Sequence, residues 1–450
     1  MNHRQTRLFG VLTVLVTTIF IGLRPGAASA RFSNSVPPSK AAMEHFPDVN
    51  DLPVRKEMPD VMTMNDGAKV TNVAQWRARR EEMKQILEHY ELGHAPPPPG
   101  NVIGQNIKSI TLLDGTVKYR LVHLKFGPGR KLGFDIAIFT PASGGPFPTI
   151  INPSFVNTPG VDVTNNQPAV TATNTATDNS IRTRSYFGPP VDPERAARGF
   201  TNQFSRGYAV VTYCYTQCGE DNANFRSSSF YPAYPDYDWG VLLGWAWGLS
   251  RVVDYLETQP FVDTNKLIAL GHSRLGKFTM VATAFDERIS LGVPAGSGCA
   301  GTGAYRFCGP GRGGKEGIED MTRKFPYFFV PRLKEFTGQM EKLPFDAHWY
   351  IALTAPRPWI SVEGTDDQYC LSDAVRQSVL AVRPVYAFLG VSTDRVGVNF
   401  EPHRHGLTVV DWTAALDFAD QQLRGMDHHR RFDQFQPEPV PSMPEQPVAK

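Results

Sequence analysis

The residues best placed to do chemistry lie in Gly271-His-Ser-Arg-Leu-Gly276, a tight turn between the apolar run Leu267 to Leu270 and a helical stretch from about Lys277 to Asp286. A serine at such a strand-to-helix corner has its hydroxyl exposed at the carboxyl end of a sheet, and glycine at 271 permits the close backbone approach the corner needs. The common nucleophile elbow has glycine two residues after the serine; here Leu275 stands there and Gly276 follows. Ser273 is a poor nucleophile until a base takes its proton. His405, in Pro402-His-Arg-His-Gly406, is the candidate base because imidazole titrates near neutrality; His403 is its rival. Asp367, in the loop after the apolar run Trp359 to Val362, is the candidate acid that fixes the imidazole tautomer and stabilises the imidazolium, with Asp366 and Glu363 as competitors. The chain order serine, acid, histidine matches the succession expected with this kind of elbow. Negative charge building on a carbonyl oxygen needs donors in place beforehand, and the backbone N–H of Arg274 is the expected first donor.

These groups must be positioned by a scaffold. A helix is expected over Gln75 to Tyr90, followed by strands at Lys118 to Phe126, Gly133 to Phe139, Pro148 to Asn152 and Tyr208 to Tyr215. An aromatic-rich helix spans Asp238 to Thr258, and buried strands are expected at Lys266 to Leu270, Ser290 to Pro294 and Trp359 to Glu363. A helical stretch is expected around Phe325 to Phe329, then a helix over Val375 to Leu389, a strand over Arg395 to Phe400 and a helix over Val410 to Gln421. The segment Val156 to Asn179, rich in Asn and Thr, reads as a surface excursion near the site, and Gly296 to Gly314 as a glycine-rich loop. Alternating strands and helices predict one α/β domain over residues 71–433, with a mostly parallel central sheet covered by helices on both faces.

Residues 31–70 read as an extended arm and 434–450 as a disordered proline-rich tail. Residues 1–30 have a basic start (His3, Arg4, Arg7), the apolar run Leu8 to Leu23 and the small stretch Ala27-Ala-Ser-Ala30, which together predict a signal peptide and a secreted or periplasmic protein. No later run is long and apolar enough to span a bilayer, so no membrane association is expected after cleavage. A formal net charge of +2 argues against nucleic acid as a partner. Five cysteines follow residue 30; Cys214 and Cys218 lack a second ligand pair at zinc spacing, so a disulfide or buried thiols is expected rather than a metal site. No metal or cofactor is expected.

At His272-Ser-Arg-Leu-Gly-Lys277 the sequence resembles the glucuronoyl esterases of carbohydrate esterase family 15, whose elbow reads Gly-x-Ser-Arg-x-Gly-Lys. The resemblance extends through Trp239 to Thr258, Ser297 to Gly301, Ala352 to Pro358, Asp367 to Tyr369 and His405 to Trp412. It implies the α/β-hydrolase fold and a serine-type carboxylester hydrolase that cleaves esters of 4-O-methyl-glucuronic acid in glucuronoxylan–lignin linkages through an acyl-enzyme. It also implies an oxyanion contact from the Arg274 side chain, and substrate contacts from Lys277, Glu316 and Tyr369, in a protein expected to be monomeric. Two departures stand out: Gly296 occupies the position from which fungal members draw their acid, so Asp367 matches an alternative used by bacterial members, and Tyr369 replaces a tryptophan that packs on the methoxy group. Other readings are an acetyl xylan esterase and a catalytically silent carbohydrate-binding relative.

Overall fold

The computed structural model describes residues 46–161 and 189–435. The expected signal peptide, the first part of the arm, most of the Asn- and Thr-rich excursion and all but the first two residues of the tail lie outside the described residues. In chain order the elements are α1 (Val73–Leu87), β1 (Ile103–Leu112), β2 (Val117–Phe126), β3 (Leu132–Pro141), β4 (Phe147–Ile151), α2 (Pro193–Arg198), α3 (Thr201–Ser205), β5 (Ala209–Thr212) and α4 (Val241–Leu256). They continue with β6 (Val262–His272), α5 (Arg274–Phe285), β7 (Leu291–Ala295), α6 (Ile318–Lys324), α7 (His348–Thr354), β8 (Trp359–Gly364), α8 (Ser372–Phe388), β9 (Val396–Glu401) and α9 (Val409–Arg424).

The described strands form one sheet in the order β1-β2-β3-β5-β4-β6-β7-β8-β9. The β1-β2, β2-β3 and β3-β5 pairs are antiparallel, and every pair from β5-β4 to β8-β9 is parallel. The expected mostly parallel α/β sheet is therefore present, with an antiparallel extension at one edge. Strand alternation divides its two faces: Leu267 and Ala269 of β6 join the core that contains α4 and α5, whereas Ile268 and Leu270 join the core under α9. Burial on both faces explains why the central strands read as continuous apolar runs.

Differences from the sequence expectations have local causes. Strand β1 escapes a hydrophobic pattern because all of it except Leu112 is exposed at the sheet edge. Phe325 to Phe329 is not a regular helix: α6 ends at Lys324, and Pro326 then opens a 3-10 turn over Pro326–Phe328. The helix expected from Gln75 to Tyr90 starts instead at Val73, capped by the Asn72 side chain accepting from the Gln75 N–H at 3.0 Å, and passes into a π turn over Glu88–Leu92. All five cysteines are free thiols, and Cys214 and Cys218 are buried.

Candidate active site

The carboxyl ends of β6, β7, β8 and β9 are adjacent and parallel, so the loops that leave them meet at one place. Ligand sites in open α/β sheets form at this edge. Ser273 sits at the corner between β6 and α5 with φ 58° and ψ −126°, a left-handed-side conformation that costs a non-glycine residue about 1–3 kcal/mol. Its N–H donates to the Ala295 carbonyl at 2.9 Å, which ties the corner to the end of β7. The flanking glycines are required by packing: a Cβ on Gly271 would lie 2.4 Å from the Leu275 carbonyl oxygen, and one on Gly276 would lie 2.9 Å from the Gly271 oxygen. The displaced second glycine thus does for this corner what the common spacing does elsewhere.

His405 enters from the loop after β9. Its Nε2 lies 2.9 Å from Ser273 Oγ and its Nδ1 lies 2.6 Å from Asp367 Oδ2. Asp367 is 4% exposed, and its Oδ1 accepts the Tyr369 N–H at 2.8 Å. Burial opposes ionisation of this carboxyl, but the hydrogen bond and charge of His405, with further donation from the Tyr369 N–H and the Cys370 thiol, hold its pKa below the ordinary carboxylate value. The rivals are otherwise employed. His403 Nε2 lies 3.1 Å from Asp411 Oδ2, and Asp411 forms the capping box of α9 with Thr408. Asp366 is exposed, and Glu363 is fully buried with the Ser361 hydroxyl donating to its Oε1.

Arg274 opens α5, where a backbone N–H has no partner within the helix, and its guanidinium pairs with Asp221. Lys277 is 5% exposed, and its Nζ donates to the carbonyls of Ser297 and Cys299 at 2.6 Å each, with Glu316 Oε2 at 3.9 Å. It therefore fastens the glycine-rich loop to α5, and Glu316 lies beside it rather than in open solvent. Tyr369 is 40% exposed, with its ring centroid 5.3 Å from that of His405 and the Lys315 amine 5.3 Å from its ring.

Several participants carried no signal of their own. His272 lies against His405, ring centroids 4.6 Å apart; burial, with the adjacent His405, lowers its pKa to about 4, so it packs as a neutral ring. Cys370 Sγ is 4.0 Å from His405 Nδ1 and belongs with Asp367 and His405 to a single cluster of potential ligand atoms. Within it, Asp367 and His405 are hydrogen-bonded to each other, with the buried Cys370 thiol beside them. Chemically, the arrangement can deprotonate a serine hydroxyl, hold the resulting imidazolium and offer donors to a carbonyl oxygen.

The sequence model of the family described as glucuronyl esterase, fungi, matches residues 161–390, just over half of the chain. The chain belongs to the glucuronoyl esterases, carbohydrate esterase family 15. Glucuronoyl esterases are carboxylic ester hydrolases, so the chain is an enzyme of that class. A carbohydrate esterase from an unknown prokaryotic organism is 29% identical over 404 residues, covering 82% of this chain and 90% of that protein. The 4-O-methyl-glucuronoyl methylesterase of Podospora anserina is 28% identical over 367 residues, covering 79% of this chain and 65% of its own. Among solved structures, a glucuronoyl esterase from Solibacter usitatus superposes with a TM-score of 0.69 at 25% identity, covering 84% of this chain and all of that one. A family 15 esterase from a marine bacterial metagenome, described as promiscuous, gives the same score at 28% identity over 84% of this chain and 99% of that one. These neighbours place the sheet and its helices in the α/β-hydrolase fold.

Proposed function

We propose that the protein is an exported serine esterase that hydrolyses esters of glucuronic acid, or its 4-O-methyl ether, in glucuronoxylan. The observation that carries this reading is the continuous hydrogen-bonded chain from Asp367 through His405 to Ser273 Oγ. In this scheme Ser273 Oγ attacks the ester carbonyl while its proton passes to His405 Nε2. Asp367 stabilises the imidazolium, and the Arg274 N–H and guanidinium receive the oxyanion. Collapse of the tetrahedral intermediate expels the alcohol, which takes the proton from His405, and leaves the uronyl group on Ser273. Water, deprotonated by His405, then adds to the acyl carbon; the second collapse releases the uronic acid and returns the proton to Ser273 Oγ. Every proton transfer is supplied by the three side chains, so the scheme calls for no metal or cofactor.

Tyr369, exposed beside His405, and Glu316, beside Lys277, are the proposed sugar contacts. Tyr369 in place of the tryptophan expected from the family pattern weakens the basis for a methoxy preference. Lys277 has two of its three donors committed to loop carbonyls, which favours a role for it in holding that loop over a direct sugar contact. The leader read in residues 1–30 supports export, and the proposed mature chain starts after Ala30.

The test is hydrolysis of benzyl glucuronate by the protein and by Ser273→Ala. Loss of turnover with unchanged circular dichroism and melting temperature is the expected result; full residual turnover in the variant refutes the serine mechanism. Labelling of Ser273 by a fluorophosphonate separates an active nucleophile from a silent sugar-binding relative, and parallel assays on acetylated xylan separate uronate from acetyl esters.

A further inference from the structure

An arginine side chain has many rotamers, and a guanidinium stabilises an oxyanion only if it is already aimed when the charge forms. Two chain segments, one holding Tyr215 and Asp221 and the other Phe325 to Phe328, meet around Arg274. Its Nη1 donates to Asp221 Oδ2, and the Tyr215 hydroxyl donates to the same oxygen. On the other side the Tyr327 hydroxyl lies 2.9 Å from Asp221 Oδ1 and 3.1 Å from the Asp221 carbonyl oxygen. Asp221 has a side chain only 5% exposed, whereas that of Arg274 is 30% exposed. The guanidinium carbon lies 5.1 Å from the Phe325 ring and 5.8 Å from the Phe328 ring, which adds aromatic contacts to the pairing with Asp221.

The braces are themselves fixed. Tyr215 follows β5 and packs edge-on against Trp245 of α4, ring centroids 4.8 Å apart. Tyr327 lies in the 3-10 turn Pro326–Phe328, packed edge-on against Phe328 at 5.2 Å. The proton relay of Ser273, His405 and Asp367 uses none of these residues. Nor is this an ordinary surface ion pair, because two hydroxyl donors besides the arginine bond one buried carboxylate. Among the described residues the bond to Asp221 is the hydrogen bond that the Arg274 side chain makes, so its Nε and Nη2 donors stay available to a developing charge.

We propose that Asp221, braced by Tyr215 and Tyr327, is a positioning residue that aims the Arg274 guanidinium at the oxyanion. This rests on the oxyanion role given to Arg274 above.

A double-mutant cycle tests it, read as kcat and KM on both benzyl glucuronate and p-nitrophenyl acetate. Arg274→Ala is expected to lower kcat by about 10²-fold. Asp221→Asn alone is expected to lower kcat by roughly 10-fold with KM nearly unchanged, because the interaction matters only as charge develops. In the Arg274→Ala background the same Asp221→Asn change is expected to have almost no effect on kcat. Tyr327→Phe, a milder change that keeps the ring and the fold, should behave alike on a smaller scale. Equal losses from Asp221→Asn in both backgrounds overturn the proposal and assign Asp221 a purely structural role. Full kcat in Arg274→Ala overturns the oxyanion role and the positioning role with it. Coupling on the acetate ester without turnover of the glucuronate ester keeps the positioning role and refutes the uronate reading alone.

Discussion

Glu363 offers a quantitative handle on the electrostatics beneath the site. It lies on β8, four residues before Asp367, fully buried; its Oε1 accepts from the Ser361 hydroxyl, and its Oε2 has no hydrogen-bond partner among the described residues. Burial, with the nearby negative charges of Asp367 and Asp411 adding to it, raises its pKa from 4.5 to about 8. In the unfolded chain the carboxyl titrates near 4.5, so between that value and about 8 the folded state binds more protons than the unfolded one. Its contribution to stability is therefore whole below pH 4.5 and is lost as pH rises to about 8, at ~1.4 kcal/mol per pH unit in between. Integrated from pH 5 to pH 8.5 with these two values, the loss is on the order of 4 kcal/mol. That is a large part of the 5–15 kcal/mol typical of a folded domain. Glu363→Gln removes the titration and keeps an acceptor for Ser361, at the expense of a buried amide whose penalty does not change with pH. Urea unfolding of both proteins at pH 5 and pH 8.5 isolates the term, because the constant penalty cancels in the difference of differences. The variant is expected to gain on the parent by several kcal/mol between the two pH values. A gap that is the same at both would refute the protonated, buried state of Glu363.

Two further outcomes follow from the same geometry. Asp367→Asn is expected to preserve the melting temperature but lower kcat by ~10³- to 10⁴-fold at neutral pH, since the amide favours the wrong imidazole tautomer; a loss smaller than about 10-fold in steady-state assays would transfer the acid role to another carboxylate. Among the thiols, burial pushes the Cys218, Cys299 and Cys370 pKa values well up, and only Cys308 is not buried. Native labelling with iodoacetamide at pH 7.5, read by mass spectrometry, should modify Cys308 alone, and alkylation of Cys370 before unfolding would show that the loop behind His405 opens.

How much of this was legible in the sequence depended on where the determining forces act. Central strands buried on both faces leave long apolar runs, so β4 to β9 could be read from composition, with ends displaced by a few residues. Strand β1 is held by backbone pairing at an exposed edge, and pairing of that kind leaves no hydrophobic period. The juxtaposition of Ser273, Asp367 and His405 was legible because turn chemistry and chain order constrain them together. Asp221, Tyr215 and Tyr327 were not, because a buried carboxylate bonded by Arg274 and Tyr327, 53 and 106 residues away in the chain, is defined only by the tertiary fold. Lys277 is the reverse case: the motif identifies the residue, and packing adds that its amine donates to the carbonyls of Ser297 and Cys299.

The position of the carboxylate beside His405 illustrates the same division between local sequence and tertiary geometry. Gly296 follows β7 and Asp367 follows β8, and these strands are neighbours in parallel register, with Ala295 opposite Val362. Loops leaving two such strands emerge side by side, so a carboxylate on either can approach the Nδ1 side of an imidazole supplied from beyond β9. In this protein a Cβ built on Gly296 would lie 3.7 Å from Asp367 Oδ2 and 3.3 Å from the His272 ring. The space that a longer side chain at 296 would enter is thus already occupied by the Asp367 carboxylate and His272. Residue 296 also has φ +47°, which favours glycine. Glycine after β7 therefore leaves room for the carboxylate that follows β8, and the two neighbouring strands offer two backbone positions from which a carboxylate could reach His405.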